Sequence, residues 1–136
     1  MKVCLDSNVL ISAFATRGLA ADVVRVVLAE HELLVPEVVI PEVRRALIQK
    51  IRLPAKTADA VEKLLRSRTV IAKPSRTLAL SIRDPDDAWV LASAVAGGAD
   101  VLVTGDTDLL VLAPDAPLPI LTPRGFWERL RGSPAR

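Results

Sequence analysis

Two short runs of aliphatic residues, each running straight into acids, constrain this chain more than any other feature. Val101-Leu-Val103 is followed at once by Thr104, Gly105, Asp106 and Asp108, and Lys2-Val-Cys-Leu5 by Asp6-Ser7-Asn8. Apolar runs of this kind read as buried strands. In an open parallel α/β sheet, ligands bind outside the carboxyl ends of the strands, at the crevice where strand order reverses. Placed side by side, these two strands set Asp6 and Asp106 facing each other across one crevice, and the chain between them supplies the rest of it.

The composition agrees with a parallel sheet covered by helices. Of 136 residues, 51% are hydrophobic but only four are aromatic (Phe14, Trp89, Phe126 and Trp127), so the core is built from Val, Leu, Ile and Ala. The length suits a single domain, expected over residues 1–131, with a frayed tail over 132–136. The lone Cys4 lies within the first strand, where a free thiol packs as a small hydrophobe, and one cysteine allows no internal disulfide. A reducing, cytoplasmic setting is expected. Lys2 is followed by only three apolar residues before Asp6, too few for a signal peptide, and other apolar runs stop well short of a membrane span.

Charge is segregated along the chain. The net charge is only +2, yet residues 44–83 hold eleven Lys/Arg against Asp59 and Glu62, and residues 84–115 hold seven acids and no Lys or Arg. One surface is expected to attract anions, with Arg44, Arg45, Lys50 and Arg52 as candidates to track a phosphate backbone, while another concentrates negative charge.

Periodicity predicts helices over 8–14, 20–30, 41–51, from Pro54 on, 85–96, 108–112 and 123–130, with strands at 33–35, 69–72 and 119–121 between them. His31 ends the second helix, where the dipole favours it, and without a second histidine it makes no metal site. In Asp84-Pro-Asp-Asp-Ala88, Asp84 reads as an N-cap before Pro85. Ala88, Leu91, Ala92 and Val95 define the expected buried stripe, Asp86 falls nearly opposite it, and Asp87 flanks it. Gly97-Gly98 returns the chain to the strand at 101. Strands alternating with helices imply a parallel sheet with helices on both faces.

Asp6, Glu42, Asp87 and Asp106 therefore stand at strand ends or in first helical turns, where such a sheet opens to ligands. Carboxylates gathered in one pocket repel one another and rise in pKa unless a cation neutralises them. A hard divalent ion, Mg²⁺ or Mn²⁺, takes oxygen ligands and is held by one or two carboxylates together with substrate phosphate. Such an ion activates water and screens charge during displacement at phosphorus. Ser7, Asn8, Thr104 and Thr107 are placed to orient the carboxylates. Taken singly, Asp84, Asp87 and Asp106 are also explained by helix capping or a tight turn.

Asp6-Ser-Asn-Val-Leu-Ile-Ser12, Val39-Ile-Pro-Glu42, Asp84-Pro-Asp-Asp-Ala88 running into Ala96-Gly-Gly-Ala-Asp100, and Val103-Thr-Gly-Asp-Thr-Asp-Leu-Leu110 together resemble the PIN-domain ribonucleases. The chain is similar in particular to the VapC-like toxin components of bacterial toxin–antitoxin pairs. The resemblance implies a three-layer α/β/α sandwich with parallel strand order 3-2-1-4-5 and Mg²⁺- or Mn²⁺-dependent cleavage of single-stranded RNA. It carries the family's four acids onto Asp6, Glu42, Asp87 and Asp106, with Asp108 as an auxiliary acid. In this reading Asp6 and Asp106 hold the metal, Glu42 and Asp87 complete the cluster or orient water, and the 44–83 segment guides the RNA. An antitoxin partner and a homodimer are also implied. Ser7 replaces the Thr of many relatives and keeps the hydroxyl; Gly125 stands where relatives commonly carry an acid before Phe126.

Two other readings compete. A phosphatase resembling the haloacid-dehalogenase group would need an acid two residues after Asp6, where this chain has Asn8. A catalytically silent module that binds a partner protein or RNA would retain the acids without turnover. Few aromatics leave base stacking a small expected role in specificity.

Overall fold

The computed structural model describes residues 1–132; residues 133–136, most of the expected tail, lie outside the described residues. Five parallel strands form one sheet in the order β3-β2-β1-β4-β5. They are β1 (Lys2–Leu5), β2 (Glu32–Pro36), β3 (Thr69–Ile71), β4 (Val101–Val103) and β5 (Ile120–Leu121). The helices between them are α1 (Ser7–Ala15), α2 (Leu19–Glu30), α3 (Val39–Gln49), α4 (Ala55–Arg66), α5 (Pro85–Ala96), α6 (Thr107–Leu110) and α7 (Pro123–Leu130). Helices α1, α2, α3, α4 and α7 pack on one another as one layer, and α5 with α6 forms the other. The expected architecture and strand order are those observed.

Sequence explains the central strands. Val3, Cys4 and Leu5 on β1, and Val101, Leu102 and Val103 on β4, are all fully buried, because helices cover both faces and no solvent side remains for alternation. Cys4 sits at the middle of the sheet, and burial, helped by the nearby Asp6 charge, pushes its thiol pKa up, so it is an inert packing residue. Phe126 of α7 is the largest fully buried side chain and joins the same core. Among the described residues, no helix is long and apolar enough to cross a membrane.

Two local expectations shift. Helix α3 starts at Val39, not at Pro41, so Pro41 sits at its third position, still among the N-H groups that need no helical partner. On α5 the buried line is Asp87, Val90, Leu91 and Ala94, with Ala92 and Ser93 beside it, while Ala88 and Val95 stay partly exposed. The helix lies across β2, β3 and β4, and this contact rotates its inner face by one residue. Asp87 is thereby carried onto the buried line, whereas Asp86 is exposed as expected. Gly98 ends this turn at φ +71°, a conformation that favours glycine.

Leu102 is completely buried between its neighbours on β1 and β5. Truncation by Leu102→Ala is expected to cost about 2–5 kcal/mol, read as a lowered urea midpoint with unchanged slope.

Candidate active site

Parallel pairing sets Leu5 of β1 opposite Val103 of β4, so both strands release the chain at the same sheet edge. The Asp6 N-H donates to the Val103 carbonyl at 3.0 Å and carries the ladder one residue further. Every candidate acid then meets the start of a helix. Asp6 caps α1 by accepting from the Ser7 N-H at 2.8 Å, and Asp106 caps α6 by accepting from the Asp108 N-H at 2.8 Å. Asp87 and Glu42 lie in the first turns of α5 and α3. The positive ends of these helices offset part of the repulsion among the acids. Capping and clustering are thus the same geometry at Asp6 and Asp106. Asp84 only caps, accepting from the Asp86 N-H at 2.9 Å on the exposed side.

Carboxylate oxygens of Asp6, Asp87 and Asp106 lie within 4.8 Å of one another. Fully buried Thr104 ties two of these residues together: its hydroxyl donates to Asp6 Oδ2 at 2.7 Å and accepts from the Asp106 N-H at 2.9 Å. Asp87 is 6% exposed, and among the described residues its Oδ2 is a buried acceptor with no hydrogen-bond donor. Leaving such an acceptor unpaired costs about 1–3 kcal/mol. A set of oxygen donors with one of them orphaned fits a hard divalent cation.

The electrostatics carry the mark of that crowding. Burial, then a hydrogen bond to Asp106 and its charge, and finally Asp6 and Asp84, push the Asp87 pKa from an ordinary 3.8 to about 8. Asp6 is raised by burial against the opposing hydrogen bonds from Thr104 and Ser7. Glu42 is raised by burial, held back by the Ser7 hydroxyl, raised further by the Asp6 and Asp86 charges, and lowered by Arg45.

Glu42 is not among the three clustered acids; it stands beside them, across the Ser7 hydroxyl that interacts with both Glu42 and Asp6. Asp108 also lies outside the trio, bonded through its N-H to Asp106 and paired with Arg83 at 3.3 Å. Asn8 and Thr107 are exposed and give no side-chain hydrogen bond to the acids, so of the four expected orienting residues only Ser7 and Thr104 do that work. Among the basic candidates, Arg44 is engaged by Asp59 at 2.6 Å and Glu62 at 3.3 Å, where it staples α3 to α4. Arg45 and Lys50 line a cleft with Asn8 and Glu42 beside the acids. Arg52 is exposed at φ +63°, in the turn after α3.

A second cleft of about 140 Å³ opens between α3 and α5, lined by Val38, Pro41, Glu42, Arg45, Asp86, Trp89 and Val90. Sequence reasoning passed over its two most distinctive groups. The helical wheel puts Asp86 on the wet side without a role, and Trp89, one of two tryptophans in an aromatic-poor chain, is the signal in the sequence that points to this cleft.

The sequence pattern of the PIN domain matches residues 2–108. The chain belongs to the PIN-domain family. That span contains all four candidate acids of this PIN domain, and the match sets aside the phosphatase-like reading. No curated protein matches the chain. Among solved structures, this PIN domain is similar to VapBC-1 from nontypeable Haemophilus influenzae, with 19% identity over 91% of this chain and 99% of that one and a TM-score of 0.64. It is also similar to VapBC2 from Rickettsia felis bound to a DNA fragment from their promoter, with 14% identity over 90% and 98% of the two chains and a TM-score of 0.61. A domain of a functionally unknown protein from Methanocaldococcus jannaschii DSM 2661 matches at 19% identity over 88% of each chain, TM-score 0.55. At these identities the likeness is one of fold.

Raised carboxylate pKa values make the metal-free protein lose stability as pH rises. The folded state holds protons on Asp87, Asp6 and Glu42 that the unfolded chain has already released, so the contribution is complete below about pH 4. It drains away as pH climbs through the Asp87 value of about 8. In chelator, the melting temperature is expected to fall from pH 5 to pH 8, and Mn²⁺ to restore it most at the alkaline end. Asp87→Asn should flatten both trends. Thr104→Val removes the hydroxyl shared by Asp6 and Asp106 and is expected to cost about 1–3 kcal/mol in denaturant unfolding.

Proposed function

We propose that this chain is a Mg²⁺- or Mn²⁺-dependent endoribonuclease and the toxin of a toxin–antitoxin pair. The observation that carries the reading is the trio of buried Asp6 and Asp87 with half-buried Asp106, whose oxygens converge within 4.8 Å while Asp87 Oδ2 has no donor among the described residues. Membership of a family whose members are generally nucleases supports the reaction class, and the likeness to VapBC structures supports an antitoxin partner. A cytoplasmic location and a homodimer belong to the same reading.

Asp6, Asp87 and Asp106 would hold the cation, which when bound supplies Lewis-acid screening at phosphorus and a more acidic water. Thr104 fixes the Asp6 carboxylate and the start of α6, so the acids are organised before substrate arrives. Glu42 is half-buried beside the trio, where its carboxylate could orient the attacking water and accept a proton from it. Arg45 and Lys50, exposed beside Glu42, would engage the RNA backbone that the acids alone repel. Arg44, already paired across α3 and α4, contributes to stability instead.

Defined RNA and DNA oligonucleotides, incubated with Mg²⁺, Mn²⁺ or excess chelator, test the reading. RNA cleavage is expected only with metal. Asp6→Asn and Asp106→Asn should each lower the rate by on the order of 100-fold or more, since even partners of metal ligands cost about 10–100-fold. Asp108→Asn should cost no more than about 10-fold. RNA affinity should drop as salt rises. Equal cleavage in chelator, or full activity of the Asp6 and Asp106 variants, would overturn the mechanism.

A further inference from the structure

We propose that the cleft between α3 and α5 is a nucleobase subsite, in which Trp89 stacks on one base of the bound RNA and the Asp86 carboxylate accepts from that base's exocyclic amino group. The inference rests on the ribonuclease reading and deepens it by assigning the base that lies beside the scissile phosphate. Four features of the cleft carry it.

First, position: Glu42 lines the cleft and also stands across Ser7 from Asp6, so the cleft adjoins the acid trio. Asp86 and Asp87 are consecutive in the first turn of α5, and one is exposed at the cleft while the other is buried in the trio. Glu42 interacts electrostatically with both Asp6 and Asp86, so it links the trio to the cleft.

Second, shape and chemistry: the walls combine an indole and the apolar Val38, Pro41 and Val90 with the charged Glu42, Arg45 and Asp86, so a planar ring and its polar edge both find partners. A flat aromatic wall beside a basic backbone track is how single-stranded nucleic acid is gripped. Third, Lys73 Nζ sits over one face of the Trp89 ring, 4.2 Å from its centre, and is not among the residues that line the cleft, so a cation steadies the indole and the stacking proposed here uses its other face. Fourth, Arg45 lines both this cleft and the neighbouring one that contains Lys50, which gives the phosphate track a path past the base site.

The exposed Asp86 carboxylate only accepts hydrogen bonds. Adenine, cytosine and guanine offer an exocyclic amino donor. Uracil offers carbonyl oxygens on either side of its single N-H, and these meet the carboxylate unfavourably. The subsite therefore favours amino-bearing bases over uracil.

The test uses Trp127→Phe protein, in which Trp89 is the sole tryptophan, titrated in Mg²⁺ with AMP, CMP, GMP and UMP, which hold no internucleotide bond to cleave, while indole fluorescence is recorded. Saturable quenching is expected, with at least one amino-bearing nucleotide binding ~5-fold or more tightly than UMP. Asp86→Asn, an exposed substitution, should keep the quenching and bring that ratio towards one. In RNA cleavage, Trp89→Leu should raise KM by ~10-fold with a smaller change in kcat and scatter the cut sites, since stacking contributes that much per base. Trp89→Phe should recover most of the loss. Absence of quenching by all four nucleotides, equal affinity for UMP, or an unchanged KM and cleavage pattern in Trp89→Leu would overturn the proposal. Base-selective quenching in a protein that cleaves no RNA would sink the ribonuclease reading and leave the subsite standing; metal-dependent cleavage without quenching would do the reverse.

Discussion

Parallel pairing between β1 and β4 is the constraint on which the site depends. Because Leu5 aligns with Val103, the first residues beyond both strands emerge together, and Thr104 can reach Asp6 across the gap with a 2.7 Å hydrogen bond. A shift of register would move Thr104 from Asp6 and turn the acids to different depths. Pairing in turn requires strand order to reverse at β1, since the chain builds outward to β2 and β3 before α5 returns it to β4. The crevice is a consequence of topology before it is a matter of side chains.

What that topology assembles is electrostatically costly. Burial and mutual repulsion lift the pKa of Asp6, Glu42 and Asp87 together, and Asp87 retains an orphaned oxygen. The chain offsets the cost locally, through helix N-termini, the Thr104 and Ser7 hydroxyls, and Arg45 near Glu42. None of these supplies a full positive charge inside the trio. Strain concentrated at one edge of an otherwise apolar sheet is the pattern of a site organised for a charged ligand instead of for stability.

The positive charge of residues 44–83 is put to several uses. Arg44 holds two helices together, Arg66 pairs with Glu62 along α4, and Lys73 lies against Trp89, while Arg45 and Lys50 line the cleft beside the acids and form no salt bridge among the described residues. A run of like charge in sequence therefore overstates the size of the anion-attracting surface. Only those cations that the α1, α3 and α5 packing brings to the sheet edge are in reach of a ligand there.

Much of the fold was legible because its determinants are local. Aliphatic runs, the Pro85 and Pro123 helix starts, the Asp84 cap and the Gly97-Gly98 stop mark where elements begin and end. The resemblance to PIN domains supplied the strand order. The acids at strand ends and first turns were visible for the same local reason. Their division into a close trio with Glu42 beside it was not, nor were the exposure of Asn8 and Thr107, the capture of Arg44 by α4, and the cleft at Trp89 and Asp86. Sequence by itself determined which residues end strands and start helices, because backbone preference and periodicity act over a few neighbours. Tertiary structure alone decided which side chains share a space, because that depends on how α5 lies across the sheet: its packing rotates the helix by about one residue, burying Asp87 among the acids and leaving Asp86 at the cleft.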